Sequence, residues 1–563
     1  MRVVRESGGL KVCAVAGTHV VSLGLHMAES DCDGLLGFSV HRTDHQSNEA
    51  GFLSGMKAFE ETDPGFEPGS RYSTEHHPVQ SFQWADYAAK PGHRYTYRVA
   101  ARKGTPQRLE TVAEVSVTLT TESPEGGDHD VHFNRGVAAS QEYARRFGNR
   151  PPDVVPNRKA YEWLSRGIYE ALEAFLASAR PGQDELRIAA YEFNYDEVLA
   201  LLAATRERGV GMRICYDGRT GGSAPGVKNR EAVEGHGLGD VSVARTTPAT
   251  GAISHNKFIV KLIDGRPAAV WTGGMNFSEG GIFGHSNVAH IVEDEAVAAA
   301  FLAYWEVLER DPERAELARE VERLSPLPRS SQSGPPSLPR GTTFIFSPRS
   351  NLDALRWYAD LAKRAREGLM MTFAFGMNDL FKEAYANGDA PFRLALMEKA
   401  TANFEDPTRR EAEERRIREL RAMPENVFAI GAFVPANALD GWLAERLSGL
   451  NRNVRYVHNK FMLIDPLGND PIVVAGSANF SAASTEKNDE NMIAVRGNKR
   501  VADIYLGEFM RLWSHHAFRE SLGWRRAGEA GATRWLSTGD WWRDSFGNSE
   551  RSVRRRFFAR VES

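Results

Sequence analysis

One short block of this chain occurs twice. His255-Asn256-Lys257-Phe258 is followed by Thr272-Gly273-Gly274-Met275-Asn276-Phe277-Ser278, and about two hundred residues later His458-Asn459-Lys460-Phe461 is followed by Ala475-Gly476-Ser477-Ala478-Asn479-Phe480-Ser481. The shared order of His, Lys, Gly, Asn, Phe and Ser, flanked by strand-like apolar runs, points to a fold built from two copies of one unit. Each copy supplies a reactive histidine.

Strand geometry gives the spacing a meaning. Side chains two residues apart project to the same side of a strand, so His255 and Lys257 share a face, as do His458 and Lys460. Phe258 and Phe461 point the other way, toward a core. Asn256 and Asn459 fall on the face opposite the histidines and are left out of the site. Each block continues through an apolar run, a turn at Asp264-Gly265 or at 466–470, and a second run, Ala268 to Trp271 or Ile472 to Ala475. This pattern reads as a hairpin. The return strand ends in a small-residue bend, Gly273-Gly274 or Gly476-Ser477, where backbone can approach a ligand closely. Asn276 and Asn479, with Ser278 and Ser481, are expected beside their own histidine and lysine.

Paired imidazoles can divide the work of a substitution at phosphorus. One attacks and the other protonates the leaving group, since histidine titrates near neutral pH. Lysines and amides clamp an anionic group that gains charge in the transition state. A phosphodiester fits this inventory, through a phosphohistidine that water then resolves.

At these residues the chain resembles the phospholipase D superfamily, whose mark is a duplicated His-x-Lys motif with an Asp further on and a Gly-Gly or Gly-Ser before an Asn. The second copy matches as His458-x-Lys460, then Asp465, then Gly476-Ser477-x-Asn479. The first copy departs: Leu262 stands where the pattern has Asp, and the nearest acid is Asp264. Both Asp264 and Asp465 fall on the strand face opposite the His/Lys pair, so they support the hairpin more than the chemistry. Asn488-Asp489-Glu490-Asn491 resembles the acidic stretch that orients the family's histidine. The equivalent place in the first copy reads His285-Ser286-Asn287, which leaves the partner of His255 open.

The resemblance implies two α/β halves related by pseudo-two-fold symmetry, with the site at their interface. It also implies that His255 or His458 attacks phosphorus, with His255 preferred because the first-half histidine is the nucleophile in many relatives, that the other acts as general acid and then activates water, and that Lys257, Lys460, Asn276 and Asn479 hold the phosphoryl oxygens. No cofactor is implied and no metal, since lysines and amides take the cation's role. The substrate is a phosphodiester, phospholipid first and nucleic acid as the alternative. A chain that binds phosphate without cutting is the non-enzyme alternative.

Around this core the texture changes along the chain. Residues 1–122 read as an all-β sandwich, with runs at Leu10 to Ala16, Val20 to Leu25, Leu36 to Arg42, Val79 to Trp84, Tyr95 to Arg102 and Val112 to Thr120. The stretch from Pro91 to Ala101 resembles a late strand of a fibronectin type III domain, a module more often for docking a protein partner than for catalysis. His76 and His77 lie in a Gly/Pro/Ser-rich loop and are expected to face solvent. The first α/β half covers 130–323, with a helix at Lys159 to Ala179 and strands at Leu186 to Phe193 and Met212 to Asp217. A Pro/Ser-rich linker covers 324–340, and the second half 341–515. Residues 516–563 mix Arg526, Arg534 and Arg554 to Arg556 with Trp524, Trp535, Trp541, Trp542, Phe557 and Phe558. Such a mixture suits a peripheral membrane contact or base stacking, and more often packs a tail onto the body.

Composition narrows the substrate. The net charge of −4 on 563 residues lowers the nuclease reading, because polyanion binding relies on a basic groove. No stretch reaches the apolar length of a membrane span, and Met1 to Glu6 leads into an alternating strand. Cys13, Cys32 and Cys215 form no metal spacing. Free buried thiols are expected, and with them a cytoplasmic location. Gly280-Gly281-Ile282-Phe283-Gly284 reads either as a buried turn or as a loop touching an acyl interface.

Overall fold

The duplication is carried into the backbone as two seven-stranded sheets of one topology. The structure is a computed structural model and describes residues 1–67, 69–136, 140–222, 224–246, 251–331, 334, 336–401, 406–431, 443, 445–446, 450, 455–524 and 535–561, with the side chains of 521–524 left aside. The first sheet runs His129–Phe133, Val288–Val292, Arg266–Gly273, Lys257–Ile263, Asp184–Ala190, Gly211–Asp217 and Ser242–Arg245 in spatial order. The second runs Gly341–Ser347, Glu490–Arg496, Ile472–Gly476, Phe461–Ile464, Leu369–Phe373, Arg393–Met397 and Asn426–Ile430. The motif hairpins superpose in register: Ile259 faces Trp271 in the first and Met462 faces Val474 in the second, each pair 203 positions from its mate. The last three strands of each sheet are parallel and are joined by helices, Asp196–Glu207 and Gly226–Gly235 in one half, Asp379–Asn387 and Pro407–Arg421 in the other. Crossovers of this kind bury a parallel strand on both faces, and every residue of Leu369–Phe373 and Arg393–Met397 is buried.

Each half closes with a long helix that both halves share. Glu295–Glu309 packs on the first sheet, yet its Tyr304 ring stacks on Phe346 of the second half at 4.4 Å. Lys499–Trp524 packs on the second sheet, while its Tyr505 ring meets Phe133 of the first half at 5.0 Å. Truncating one of these buried rings to Ala would cost about 3–5 kcal/mol. The halves therefore share core, and packed aromatics hold their motif strands against each other.

The N-terminal region is all β, as its alternation implies. Two four-stranded sheets face each other, one ordered Arg2–Ser7, Leu10–Ala16, Val21–His26, Gln83–Asp86, the other Arg108–Thr120, Arg94–Thr105, Gly37–Asp44, Glu49–Phe52. Tyr95, Tyr97, Val99 and Ala101 alternate inward and are fully buried, as a half-buried strand requires.

Some local expectations change. The strand expected from Val79 begins only at Gln83. His77 is buried and accepts a hydrogen bond from the Phe59 amide at 3.1 Å, so only His76 faces solvent. The helix expected over Lys159 to Ala179 breaks into Lys159–Ser165 and Ile168–Ala177 at Arg166-Gly167, both at positive φ. Residues 280–284 form a single π-helical turn with Ile282 and Phe283 buried, Phe283 against Tyr161 at 4.8 Å. They are a packed turn, unavailable to an acyl interface. All three cysteines are free and buried.

The C-terminal segment packs onto the body. Trp542 joins the sandwich core, Trp541 donates its indole N–H to Leu35 O at 2.7 Å, and helix Glu550–Ala559 lies so close to Gly24 that a Cβ there would meet Phe558 O at 2.1 Å. Arg525, Arg526 and Arg534, the Trp524 side chain and linker residues Gln332, Ser333 and Pro335 lie outside the described residues. Among the described residues no helix is long and apolar enough to cross a membrane.

Candidate active site

The two motif strands meet because the segments before them pair across the halves. Ser254 bridges to Asp489 and Ser286 bridges to Val457, two contacts that are symmetry mates under the 203-residue offset. Backbone bonds fix both crossings: His255 N to Asp489 O at 3.0 Å, Asp489 N to Ile253 O at 3.0 Å, and Ser286 N to Tyr456 O at 2.9 Å. A buried carboxylate in each half steadies the approach to its histidine. Asp217 accepts from Ser254 N at 3.0 Å, while Glu398 accepts from the amides of Arg455, Tyr456 and Val457 at 2.8, 3.1 and 2.9 Å. The small-residue bend has a structural cause. Gly273 sits at φ +138 with Val288 O 2.2 Å from where a Cβ would stand, and a Cβ on Gly476 would meet Asn491 O at the same distance. It is the neighbouring strand that demands glycine here.

These crossings supply the histidine partners. His255 Nδ1 lies 2.8 Å from Glu490 Oε2 of the second half, and His458 Nδ1 lies 3.0 Å from Asn287 Oδ1 of the first. The partner of His255 left open by its own copy is thus Glu490. Asn287 and Glu490 are themselves mates at the 203-residue offset. An acceptor on Nδ1 leaves Nε2 of each ring with its lone pair free. Glu490 also accepts from Ser477 Oγ at 2.7 Å and from Asn488 Nδ2 at 3.3 Å. Burial would raise its carboxyl, but His255, Lys257 and Ser477 outweigh that and hold it below the usual range.

All four basic groups of the motifs are buried. Lys257 Nζ donates to His255 O and stands 5.1 Å from the Tyr191 ring, which also packs edge-on against His255 at 4.9 Å. Lys460 Nζ donates to His458 O at 2.6 Å. The His285 ring stacks on His458 at 4.2 Å and 11°. Burial is the largest influence on each. It lowers His255 to about 4 against the pull of Glu490, Lys257 to about 7, and His458 and Lys460 well below their ordinary values, with the neighbouring cations adding to the effect. Such a cluster of desolvated cations is a site that gains by taking up an anion.

The remaining expected residues divide. Asn276 Nδ2 and Ser278 Oγ both donate to Glu192 Oε2, each at 2.8 Å, and the side-chain oxygens of Asn276 and Asn479 are buried with no hydrogen-bond partner. Ser481 instead caps helix Ala482–Glu486 by accepting from Ser484 N at 3.2 Å. Asp264 and Asp465 sit in the hairpin turns at positive φ. Asp264 is exposed, and Asp465 accepts from the amides of Arg366, Glu367 and Gly368. Asn256 is buried behind the histidines, bonded to Tyr304 and Asn491. Sequence reasoning missed Glu192, Asp217, Asn287, Glu398 and Ser477 as members of the site. Aligning the two copies at their constant offset would have set Asn287 opposite Glu490. Glu192 carries no motif signal.

Residues 172–308 and 437–513 match the family described as cardiolipin synthase, PLD-like domain. The matched stretches, one in each half, are similar to a phospholipase D-like domain. Solved structures similar to this chain include phosphatidylserine synthase of Haemophilus influenzae Rd KW20, 12% identical over 62% of this chain and 85% of that one, with a TM-score of 0.43. Polyphosphate kinase from Porphyromonas gingivalis is 13% identical over 60% of this chain with a TM-score of 0.36, and the match spans 46% of the kinase. Nuc, a phospholipase D family member from Salmonella typhimurium, is 24% identical over 25% of this chain and 87% of its own, with a TM-score of 0.21. No match is found among curated proteins.

Proposed function

We propose that this chain is a phosphodiesterase that works through a phosphohistidine, and that its substrate is a phospholipid. The observation that carries the reading is the crossed pairing of the histidines: His255 on a carboxylate, His458 on a neutral amide. A carboxylate behind Nδ1 stabilises the positive charge that develops on a ring attacking through Nε2. His255 is therefore the nucleophile. His458, whose Asn287 partner fixes its orientation without adding charge, takes up a proton at Nε2 as the anionic substrate binds and gives that proton to the departing alkoxide. The phosphoryl group is then bonded to His255 Nε2. A water loses its proton to His458 Nε2, attacks phosphorus and expels His255, which closes the cycle with both protons accounted for. Lys257, Lys460 and the amides of Asn276 and Asn479 hold the non-bridging oxygens.

Both histidine partners are in hydrogen-bond range, which weighs against a scaffold that only binds. Glu192, whose charge acts on Lys257, and the half-exposed Phe375, 50% accessible, favour a phospholipid over a polyanionic strand, since a carboxylate beside the site repels further phosphates. The test is release of phosphatidic acid from mixed phospholipid vesicles in excess EDTA, with His458→Ala as control. Release by the wild type alone supports the reading. Release by neither, with cleavage of DNA or RNA instead, would move the substrate to nucleic acid.

A further inference from the structure

One charged residue in the site has no part in the mechanism above. Glu192 follows strand Asp184–Ala190 by two positions, beyond the C-terminal end of an interior strand of the first sheet that pairs with the motif strand. Its Oε2 takes the hydrogen bonds of both Asn276 Nδ2 and Ser278 Oγ at 2.8 Å. One of these donors is assigned to the phosphoryl oxygens of a bound substrate. The carboxylate also pulls the buried amines of both Lys257 and Lys460 toward the charged form. Half-buried, it stands in the first half of the cradle as an anion already bound.

The second half has no counterpart. Ile188 pairs with Ile259 and Met371 pairs with Met462, which makes Ile188 and Met371 mates, and four residues further on Glu192 is matched by Phe375. The side-chain oxygen of Asn479 is buried without a partner, whereas the carboxylate nearest the second motif, Glu490, is taken up by His255 and Ser477. The acid is thus present in one copy only.

We propose that Glu192 is a displaceable internal anion: in the free protein it occupies the donors of Asn276 and Ser278 and compensates the buried lysines, and an incoming phosphoryl group must displace it. The inference rests on the phosphodiester reading of the site and adds a residue that sets how tightly the site takes an anion. Glu192 is a specificity-determining residue with no share in bond making. Its charge raises the threshold for any anionic ligand and keeps the lysine pair compensated while the site is empty.

The experiment is a titration of the full chain with inorganic phosphate, followed by isothermal calorimetry, on wild type, Glu192→Gln and Glu192→Ala. The Gln variant keeps the shape and one acceptor oxygen and removes only the charge. Both variants are expected to bind phosphate about tenfold tighter than wild type, the effect of removing one like charge a few ångströms from the ligand at intermediate dielectric. In turnover of a phosphodiester, KM falls by a similar factor in Glu192→Gln, whereas a merely structural role would raise KM or lower kcat. Equal or weaker phosphate binding by both variants, or no phosphate binding by any of the three proteins, overturns the proposal. Failure of the catalytic reading looks different: phosphate binds more tightly to the variants, yet none of the proteins hydrolyses a diester.

Discussion

The two halves of this molecule share their backbone wiring and differ in the chemistry hung on it. Both motif strands, both crossings at Ser254 and Ser286, and both carboxylates behind the histidines recur at equivalent places. At the reacting centre the copies diverge. His255 is backed by Glu490 and His458 by Asn287, Glu192 in one half is Phe375 in the other, and Asn256 is fully hydrogen-bonded where Asn459 is buried with neither polar atom paired. A duplicated scaffold lets two like groups be tuned apart by their surroundings. On the proposed mechanism, the difference that matters is the one carboxylate, which separates a nucleophile from an acid.

The largest effect should come from the histidines themselves. His255→Ala and His458→Ala should each lower kcat by at least about 10³-fold, read in a diester hydrolysis assay; a variant retaining a tenth of wild-type activity would remove its histidine from the mechanism. Their partners sharpen the asymmetry. Glu490→Gln should cost roughly 10²-fold in kcat and Asn287→Ala about tenfold, because only the first removes a charge; equal losses would mean that the two rings play the same part.

Stability separates the halves in a second way. Glu398→Ala strips the acceptor from three backbone amides, so it should destabilise by about 3 kcal/mol or more in urea unfolding, more than Asp217→Ala. Asn459→Leu removes two unpaired polar atoms and should be near neutral or stabilising, whereas Asn256→Leu, which strands Tyr304 and Asn491, should cost about 1–3 kcal/mol. Like costs for the two asparagines would break the comparison.

A smaller, graded effect follows from titration. Burial holds His255 at about 4 and His285 at about 3, against an ordinary 6.5. Between these values the unfolded chain binds protons that the folded chain refuses, so stability is complete above pH 6.5 and is lost as pH falls toward 4. Thermal melts should drop from pH 7 to pH 5, and His285→Phe should flatten that slope; a slope unchanged in the variant would take His285 out of the account.

Much of this was legible in the chain because repetition is visible without coordinates. The His-x-Lys blocks, their hairpins and the all-β N-terminal region follow from strand alternation and turn residues, which are local. What escaped was non-local. Glu490 reads as a neighbour of its own copy's motif, and only the crossing of the halves delivers it to His255. Glu192 belongs to no motif and matters through a contact more than eighty positions away. The Arg166-Gly167 break and the burial of His77 likewise depend on what packs against them.

The most direct measurement of the central claim is alkaline-quench peptide mapping, which preserves a phosphorus–nitrogen bond, of the covalent intermediate formed on a phosphodiester substrate, in wild type and in His458→Asn. The account predicts a phosphoryl adduct on the peptide carrying His255 in both proteins, accumulating in the variant that lacks the acid and base. An adduct on His458 in the wild type, or none on either histidine, would contradict it.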